Sequence, residues 1–128
     1  PQTNSFASIG HFGGIGAAGS TLSGDVIVKG VVGDVHVLGG SALNTPAAIG
    51  HGNSIVTAAA ITGQIAVDGN SVEANGGTAE GSQAVIGFIQ PFASSGQTIS
   101  SELVNVRAQG SVNVRAGNGA STNAYIGY

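Results

Sequence analysis

The chain has 128 residues, of which 41% are hydrophobic and 7% are charged, and its net charge is −3 at neutral pH. This length holds one domain with one core, and the low charge argues against a disordered chain. The cations are limited to Lys29, Arg107 and Arg115, which argues against binding to nucleic acid. Absence of cysteine excludes disulfides and cysteine-based metal sites. No apolar run approaches the ~20 residues of a membrane helix, so we expect no membrane insertion.

One four-residue pattern, Ala-Xaa-Ile-Gly, occurs four times, and a period of about 40 residues is typical of repeat architectures. The chain therefore divides into repeats at about residues 5–44, 45–81 and 82–121, with a partial fourth repeat at 122–128, all within a single domain, 1–128. We interpret the pattern as a packing anchor, in which alanine and isoleucine enter a shared core and glycine turns the corner. The anchor residues are Ala7, Ile9, Gly10, Ala47, Ile49, Gly50, Ala84, Ile86, Gly87, Ala124, Ile126 and Gly127.

Two further segments recur in each repeat, and both alternate β-branched residues with variable ones. The first segment begins at Val26, Ile65 and Val104, and the second begins at Val35, Val72 and Val112. Alternation with period two predicts half-buried strands. Val26, Val28, Val35 and Val37 are expected to point inward, and Ile27, Lys29 and His36 outward. From each second segment to the next anchor the distance is 12 residues in all three repeats.

Three strands per repeat, each aligned with its copies, predict an all-β fold, a parallel β-helix or β-solenoid of three ~40-residue repeats. Because rungs of about 20 residues are usual, each repeat is expected to form two rungs, and the three repeats a rod of roughly 30 Å. The alternative is a closed three-fold fold such as a β-trefoil. The fourth anchor favours the open stack. Helix is not expected, and the best candidate, residues 55–61, is short and lies between Gly52 and Gly63.

Four sequence stretches carry a family resemblance. Ala-Xaa-Ile-Gly-His at 7–11 and 47–51, Ser-Gly-Asp-Val-Ile-Val at 23–28 and Gly-Asp-Val-His-Val-Leu-Gly-Gly at 33–40 resemble the repeats of filamentous-haemagglutinin-like proteins. These are large bacterial surface or secreted proteins of two-partner secretion. The resemblance implies a right-handed parallel β-helix, exported and displayed outside the cell as an adhesin shaft or fibre. The third repeat departs from it, because Phe88 replaces the histidine.

Two patterns suggest a ligand site, and each has a structural explanation. Residues 14–19 match Gly-Xaa-Gly-Xaa-Xaa-Gly, with Asp34 downstream, but a dinucleotide site needs a helix after the glycines and here a breaker-rich segment follows. We therefore expect no cofactor. His11 and His51 occupy equivalent positions, and His36 stands elsewhere. Two rungs apart, the equivalent histidines would be roughly 10 Å from each other, too far to share zinc. Hydrogen bonding to backbone at a turn is the expected role.

The acidic residues do not predict catalysis. They are Asp25, Asp34, Asp68, Glu73, Glu80 and Glu102. Some parallel β-helices are polysaccharide lyases or hydrolases that use carboxylate pairs or calcium. Here the counterparts of Asp25 and Asp34 in the other repeats are Gln64, Ser71 and Ser111, so no acidic column persists. An aspartate that follows glycine at a turn is expected to accept hydrogen bonds from backbone N–H groups.

The sequence thus predicts a non-enzymatic structural segment of an exported bacterial adhesin shaft or extracellular fibre, with no cofactor and no catalytic or metal site. Lacking an initiator methionine and a leader, the chain is expected to be a processed piece of a longer protein. Because open solenoid ends are strand edges that pair with other chains, self-association or stacking on further repeats is expected. A host or neighbouring-cell surface glycan or protein is a further expected partner. The alternatives are a glycan-binding or glycan-processing β-helix and a closed binding module.

Overall fold

The computed structural model describes residues 7–12, 20–30, 32–52, 58–89, 98–100 and 103–127. These residues form thirteen strands and no helix, and none of them belongs to a helix that could cross a membrane. The strands are β1 (Ala7–Phe12), β2 (Ser20–Ser23), β3 (Val26–Lys29), β4 (Val35–Leu38), β5 (Ala47–Gly52), β6 (Ala58–Thr62), β7 (Ile65–Gly69), β8 (Val72–Asn75), β9 (Ala84–Ile89), β10 (Thr98–Ser100), β11 (Val104–Ala108), β12 (Val112–Arg115) and β13 (Ala124–Gly127).

The strands form four parallel sheets, and each sheet takes one strand from every repeat. The anchor sheet contains β1, β5, β9 and β13 in that order. The second sheet contains β2, β6 and β10, the third β3, β7 and β11, and the fourth β4, β8 and β12. Every pairing joins consecutive repeats in parallel, and among the described strands each row is open at both ends. The predicted all-β parallel solenoid is confirmed, and the closed trefoil alternative is wrong.

One repeat makes one turn of the solenoid, which corrects the expectation of two rungs per repeat. Ala7 pairs with Ala47, Ala47 with Ala84, and Ala84 with Ala124. At ~4.8 Å per strand, three turns rise about 15 Å, half of the expected rod length. The turn is long because it contains a fourth strand, β2, β6 or β10, which the sequence interpretation missed. Part of the segment proposed as the best helix candidate is strand β6.

The core lies inside the coil and is built from the alternating positions of the anchor, third and fourth sheets. Its buried members include Val26, Ile49, Ile65, Val72 and Ile86. Burial alternates along β7 and β8, as expected for strands that have one face in the core and the other on the surface. In the first turn Val26 and Val37 are buried and Ile27 and His36 are exposed, so the predicted inward and outward assignment is correct there.

The anchor sheet differs because it is buried on both faces in its two central strands. Ala48 and Val85 point away from the core cluster, yet they are 3% and 0% exposed. The corner glycines Gly10, Gly50 and Gly87 have φ between 133° and 145°. A Cβ at each would overlap the carbonyl oxygen of the corresponding glycine in the next turn. Glycine is therefore required here both by its backbone angle and by the close approach of neighbouring turns.

The 12-residue return from the fourth sheet to the anchor sheet is a stack of equivalent turns. Within each turn a glycine N–H donates to a carbonyl five residues later: Gly40 to Thr45, Gly77 to Ser82 and Gly117 to Thr122. The hydroxyls of Thr45 and Thr122 donate to carbonyls three residues earlier, at 2.6 and 2.7 Å. The Ser82 hydroxyl instead donates across turns to the Ala42 carbonyl, at 2.7 Å, and lies 3.0 Å from Thr45 Oγ1. Because these turns are bonded to one another, their length is constant.

Candidate functional site

A groove lies on the outside of the solenoid among the described residues. It lies where the third sheet ends and has a volume of about 330 Å³. Its lining consists of Lys29, Gly30, Asp68, Gly69, Arg107, Ala108 and Gln109. The register places Lys29 beside Asp68, and Asp68 beside Arg107, on three successive turns. The groove therefore presents an ammonium, a carboxylate, a guanidinium and an amide, which can bind hydroxyl and carboxylate groups.

The outward face of the fourth sheet carries the ion pair found among the described residues. His36 Nδ1 lies 2.8 Å from Glu73 Oε2, its register partner on the next turn. Asn75 Nδ2 donates to Glu73 Oε1 at 2.7 Å. The Asn75 amide, followed by His36, lowers the pKa of the Glu73 carboxyl below its ordinary value. Both members of the pair are partly exposed, so the ion pair lies on a solvated surface.

Asp25 and Asp34 each join two successive turns. Asp25 Oδ1 accepts a hydrogen bond from the Gln64 backbone N–H at 2.9 Å. Asp34 Oδ1 accepts from the Ser71 backbone N–H at 2.9 Å and from Asn70 Nδ2 at 3.0 Å. The Asn70 amide is the main reason that the pKa of Asp34 is lowered. The aspartates therefore have the expected structural role of accepting backbone hydrogen bonds at turns, and the donors belong to the next turn of the solenoid.

The equivalent histidines are closer than predicted. His11 and His51 are paired in adjacent strands, so their backbones lie about 4.8 Å apart and not 10 Å, because one repeat is one turn. His51 is fully buried, and the next position in the column is Phe88. Across the described ranges, no group of three His, Cys, Asp or Glu side chains is arranged to hold a metal ion. Two histidines fall short of the three protein ligands of a zinc site.

Some of the other residues singled out in the sequence lie in the paired strands or in the return turns, and some lie outside the described residues. The anchor alanines, isoleucines and glycines stack on themselves through four strands. The glycine-rich motif at 14–19 lies outside the described residues, as does Glu102. Glu80 is exposed in a return turn, where its carbonyl accepts the Asn44 N–H at 2.8 Å. The structure thus brings the anchors together as packing elements and places the described acids on the surface.

Two features escaped the sequence interpretation although a signal for each was present. The second sheet aligns Leu22 with Ile61, and Ile61 with Ile99, each followed by serine or threonine. The hydroxyl residues of the return turn, Thr45, Ser82 and Thr122, stand two residues before each anchor. Both signals repeat with the period of the anchors. They were missed because small polar residues do not give the alternating pattern of a strand.

No protein-family model, curated protein or solved structure matches this chain. The resemblance to filamentous-haemagglutinin-like repeats therefore stays a prediction.

Proposed function

We propose that the chain is a structural, non-enzymatic segment of an exported bacterial adhesin shaft or extracellular fibre. The observation that carries the proposal is the register of the ladder, which is continuous in the anchor, third and fourth sheets and shifts once in the second sheet, between Ser20 and Thr21. Equivalent residues pair through four strands of the anchor sheet and three strands of each other sheet. Such stacking gives a stiff element whose length grows with the number of turns and which needs no disulfide.

The chemistry of the surface supports the same proposal. Asp25 and Asp34 accept hydrogen bonds from backbone N–H groups of the next turn, which hold adjacent turns together, and Glu80 faces solvent. The resemblance of residues 7–11, 23–28 and 33–40 to haemagglutinin-like repeats supports the exported, adhesive setting. In this setting the partners are further repeats or copies of the chain and a surface glycan or protein.

A duplicated turn tests the structural proposal. Residues 47–83 run from one anchor to the residue before the next, so a second copy inserted after Gln83 adds one complete turn. We expect the particle to lengthen by about 4.8 Å in small-angle scattering, with a higher urea midpoint. The control carries the same inserted residues in shuffled order and should lose stability. An inserted turn that behaves like the shuffled control would contradict the proposal.

The groove supports a second candidate, a glycan-binding segment. Carboxylates and hydroxyls of an acidic sugar would match Lys29, Arg107 and Gln109. The test is an array of acidic and neutral glycans, with Arg107→Ser as the variant and Arg115→Ser as the control on the neighbouring sheet. Binding lost with Arg107→Ser alone would establish the groove as a site. A hydrolysis assay is run beside the array, and glycan cleavage by the unaltered chain would contradict a non-enzymatic function. A chain that neither binds on the array nor cleaves in the assay would favour the shaft.

A further inference from the structure

Asparagine is followed by glycine at two places among the described residues, Asn75-Gly76 and Asn118-Gly119. This dipeptide is chemically labile, because the glycine nitrogen can attack the side-chain carbonyl carbon of the asparagine. Glycine has no Cβ to hinder the approach, and it lets the backbone take the conformation that the attack needs. The fold decides whether the reaction occurs, since the glycine nitrogen must be free of hydrogen bonds and able to turn toward the side chain.

The ladder holds the first of these pairs in place. The Gly76 N–H donates to the Arg115 carbonyl of the next turn at 2.9 Å. Asn75 Nδ2 donates to Glu73 Oε1 at 2.7 Å, so the side chain is held as well. A Cβ at Gly76 would overlap the Thr122 carbonyl oxygen, which shows how closely the next turn encloses this backbone. Attack by the Gly76 nitrogen therefore requires adjacent turns to separate first.

The second pair lies in the return turn between β12 and β13, where the backbone is accessible. Asn118 is exposed, and within the described part of the chain the Gly119 N–H donates to no acceptor. The equivalent residues of the first two turns, Ser41 and Thr78, are exposed as well, and the N–H that follows each of them also lacks an acceptor among the described residues. The accessibility is therefore a property of the return turn itself and does not depend on its place in the stack.

We propose that Asn118 is a site of spontaneous modification, which converts to aspartate and isoaspartate without an enzyme, whereas Asn75 is protected by the ladder. The Gly119 nitrogen bonds to Asn118 Cγ, the Cγ–Nδ2 bond breaks, and ammonia leaves with the proton from the Gly119 nitrogen. Water then opens the resulting succinimide ring at either of its carbonyls. One opening yields aspartate, and the other yields isoaspartate, in which the backbone runs through the former side chain. The inference goes beyond the proposed structural function and does not depend on it.

Isoaspartate would disturb this turn because it adds one methylene group to the backbone. The turn is closed by a hydrogen bond from the Gly117 N–H to the Thr122 carbonyl at 2.8 Å, and by one from the Thr122 hydroxyl to the Gly119 carbonyl at 2.7 Å. A Cβ at Gly117 would overlap the Gly77 carbonyl oxygen, so the turn is also packed closely on the preceding one. A longer backbone cannot keep all of these contacts, and isoaspartate therefore loosens the connection between β12 and β13. Aspartate keeps the original backbone length and is tolerated at an exposed position.

Peptide mapping by mass spectrometry measures the conversion at both sites in one sample of the full chain, incubated at mildly alkaline pH. In the folded chain we expect Asn118 to convert at least about tenfold faster than Asn75, because every ~1.4 kcal/mol needed to separate the turns slows the reaction at Asn75 tenfold. In urea the ladder is lost, and the two rates should become similar. Equal rates in the folded chain, or faster conversion at Asn75, would overturn the proposal. So would an Asn118 that converts in urea but not in the folded chain.

Two variants at position 118 isolate the effect of the longer backbone. Freshly prepared Asn118→Asp carries the new charge without the extra methylene, and it should unfold at the same urea concentration as the fresh unaltered chain. Asn118→Ser, which copies Ser41, cannot convert, so its urea midpoint should stay constant during the incubation. The midpoint of the unaltered chain should fall as isoaspartate accumulates. A constant midpoint despite conversion, an equal fall in Asn118→Ser, or an equally low midpoint in fresh Asn118→Asp would overturn the proposal.

Discussion

The anchor sheet and the fourth sheet of this solenoid tolerate sequence change differently. In the anchor sheet both faces are closed, because Ile49 and Ile86 fill the core while Ala48 and Val85 are buried on the opposite face. In the fourth sheet one face is closed and the other is open to water, where His36 meets Glu73 at 2.8 Å. The same ladder geometry therefore places one sheet in a packed environment and leaves the other half solvated.

The internal repeats record this difference. Alanine, isoleucine and glycine recur without change in all four anchors, whereas the outward column of the fourth sheet reads His36, Glu73 and Asn113. The core column of the anchor sheet stacks each isoleucine on its own copy, so a change of volume disturbs both neighbours. The column on the opposite face is not repeated and reads Ser8, Ala48, Val85 and Tyr125. An exposed column can place its extra atoms in water. Strict repetition thus indicates positions where adjacent turns leave no free volume.

Gly87→Ala in the anchor sheet should have the largest effect. Its Cβ would overlap the carbonyl of Gly127, and φ is 143°, which alanine rarely adopts. We expect a loss of about 3 kcal/mol or more in the free energy of unfolding, measured by urea denaturation. Gly33→Ala is the matched control, because a Cβ there meets nothing within 4 Å, and it should change stability by less than about 0.5 kcal/mol. Equal effects of the two substitutions would refute the packing explanation.

Valine truncation should separate the closed middle of the fourth sheet from its open end. Val72 is fully buried and its equivalent Val112 is 46% exposed. Val72→Ala should cost about 2 kcal/mol, since it removes buried methyl groups and leaves a cavity. Val112→Ala should cost less than about 1 kcal/mol. Urea unfolding at low protein concentration measures both, and a larger cost at Val112 would show that the last turn is covered in solution.

The turn between the two sheets should respond less strongly. The Ser82 hydroxyl is buried, donates to the Ala42 carbonyl at 2.7 Å and accepts from the Thr45 backbone N–H at 3.3 Å. Ser82→Ala should cost about 1–2 kcal/mol, because the Thr45 N–H loses that acceptor. Ser41→Ala, at an exposed position of the same stack of turns, is the control and should be nearly silent. Thermal unfolding measures both variants. A larger loss of stability for Ser41→Ala than for Ser82→Ala would contradict the role assigned to the Ser82 hydroxyl.

The sequence was sufficient for the repeat alignment because stacked residues repeat in register. The predicted equivalence of Val35, Val72 and Val112 is the register that the ladder shows. The number of turns was not predictable in the same way, because β6 reads as an alanine run without alternation. That error doubled the expected separation of His11 and His51. The groove was also missed, since it depends on how Lys29, Asp68 and Arg107 meet at the end of the third sheet.

Low pH should destabilise the contacts on the solvent-exposed face of the fourth sheet. The anchor sheet has no carboxylate among its described residues, so its contacts should be unaffected. The Asn75 amide and then His36 lower the pKa of Glu73 from 4.5, and the Asn70 amide lowers that of Asp34 from 3.8. Both folded pKa values lie below the unfolded ones, so the stabilisation is present above 4.5 and 3.8. It is lost as pH falls through the lower folded values.

A urea midpoint that decreases as the pH is lowered below about 4.5 is therefore expected for the unaltered chain. The midpoint of Glu73→Gln should decrease less over this pH range, because the variant has no carboxylate at position 73 to protonate. Asn75→Ala keeps the Glu73 carboxylate but removes its main hydrogen-bond donor. The decrease of the midpoint should therefore also be smaller in this variant. A midpoint that stays constant through this range would show that the column from His36 to Glu73 does not hold adjacent turns together. The fourth sheet would then depend on its inward valines alone, as the anchor sheet depends on its core.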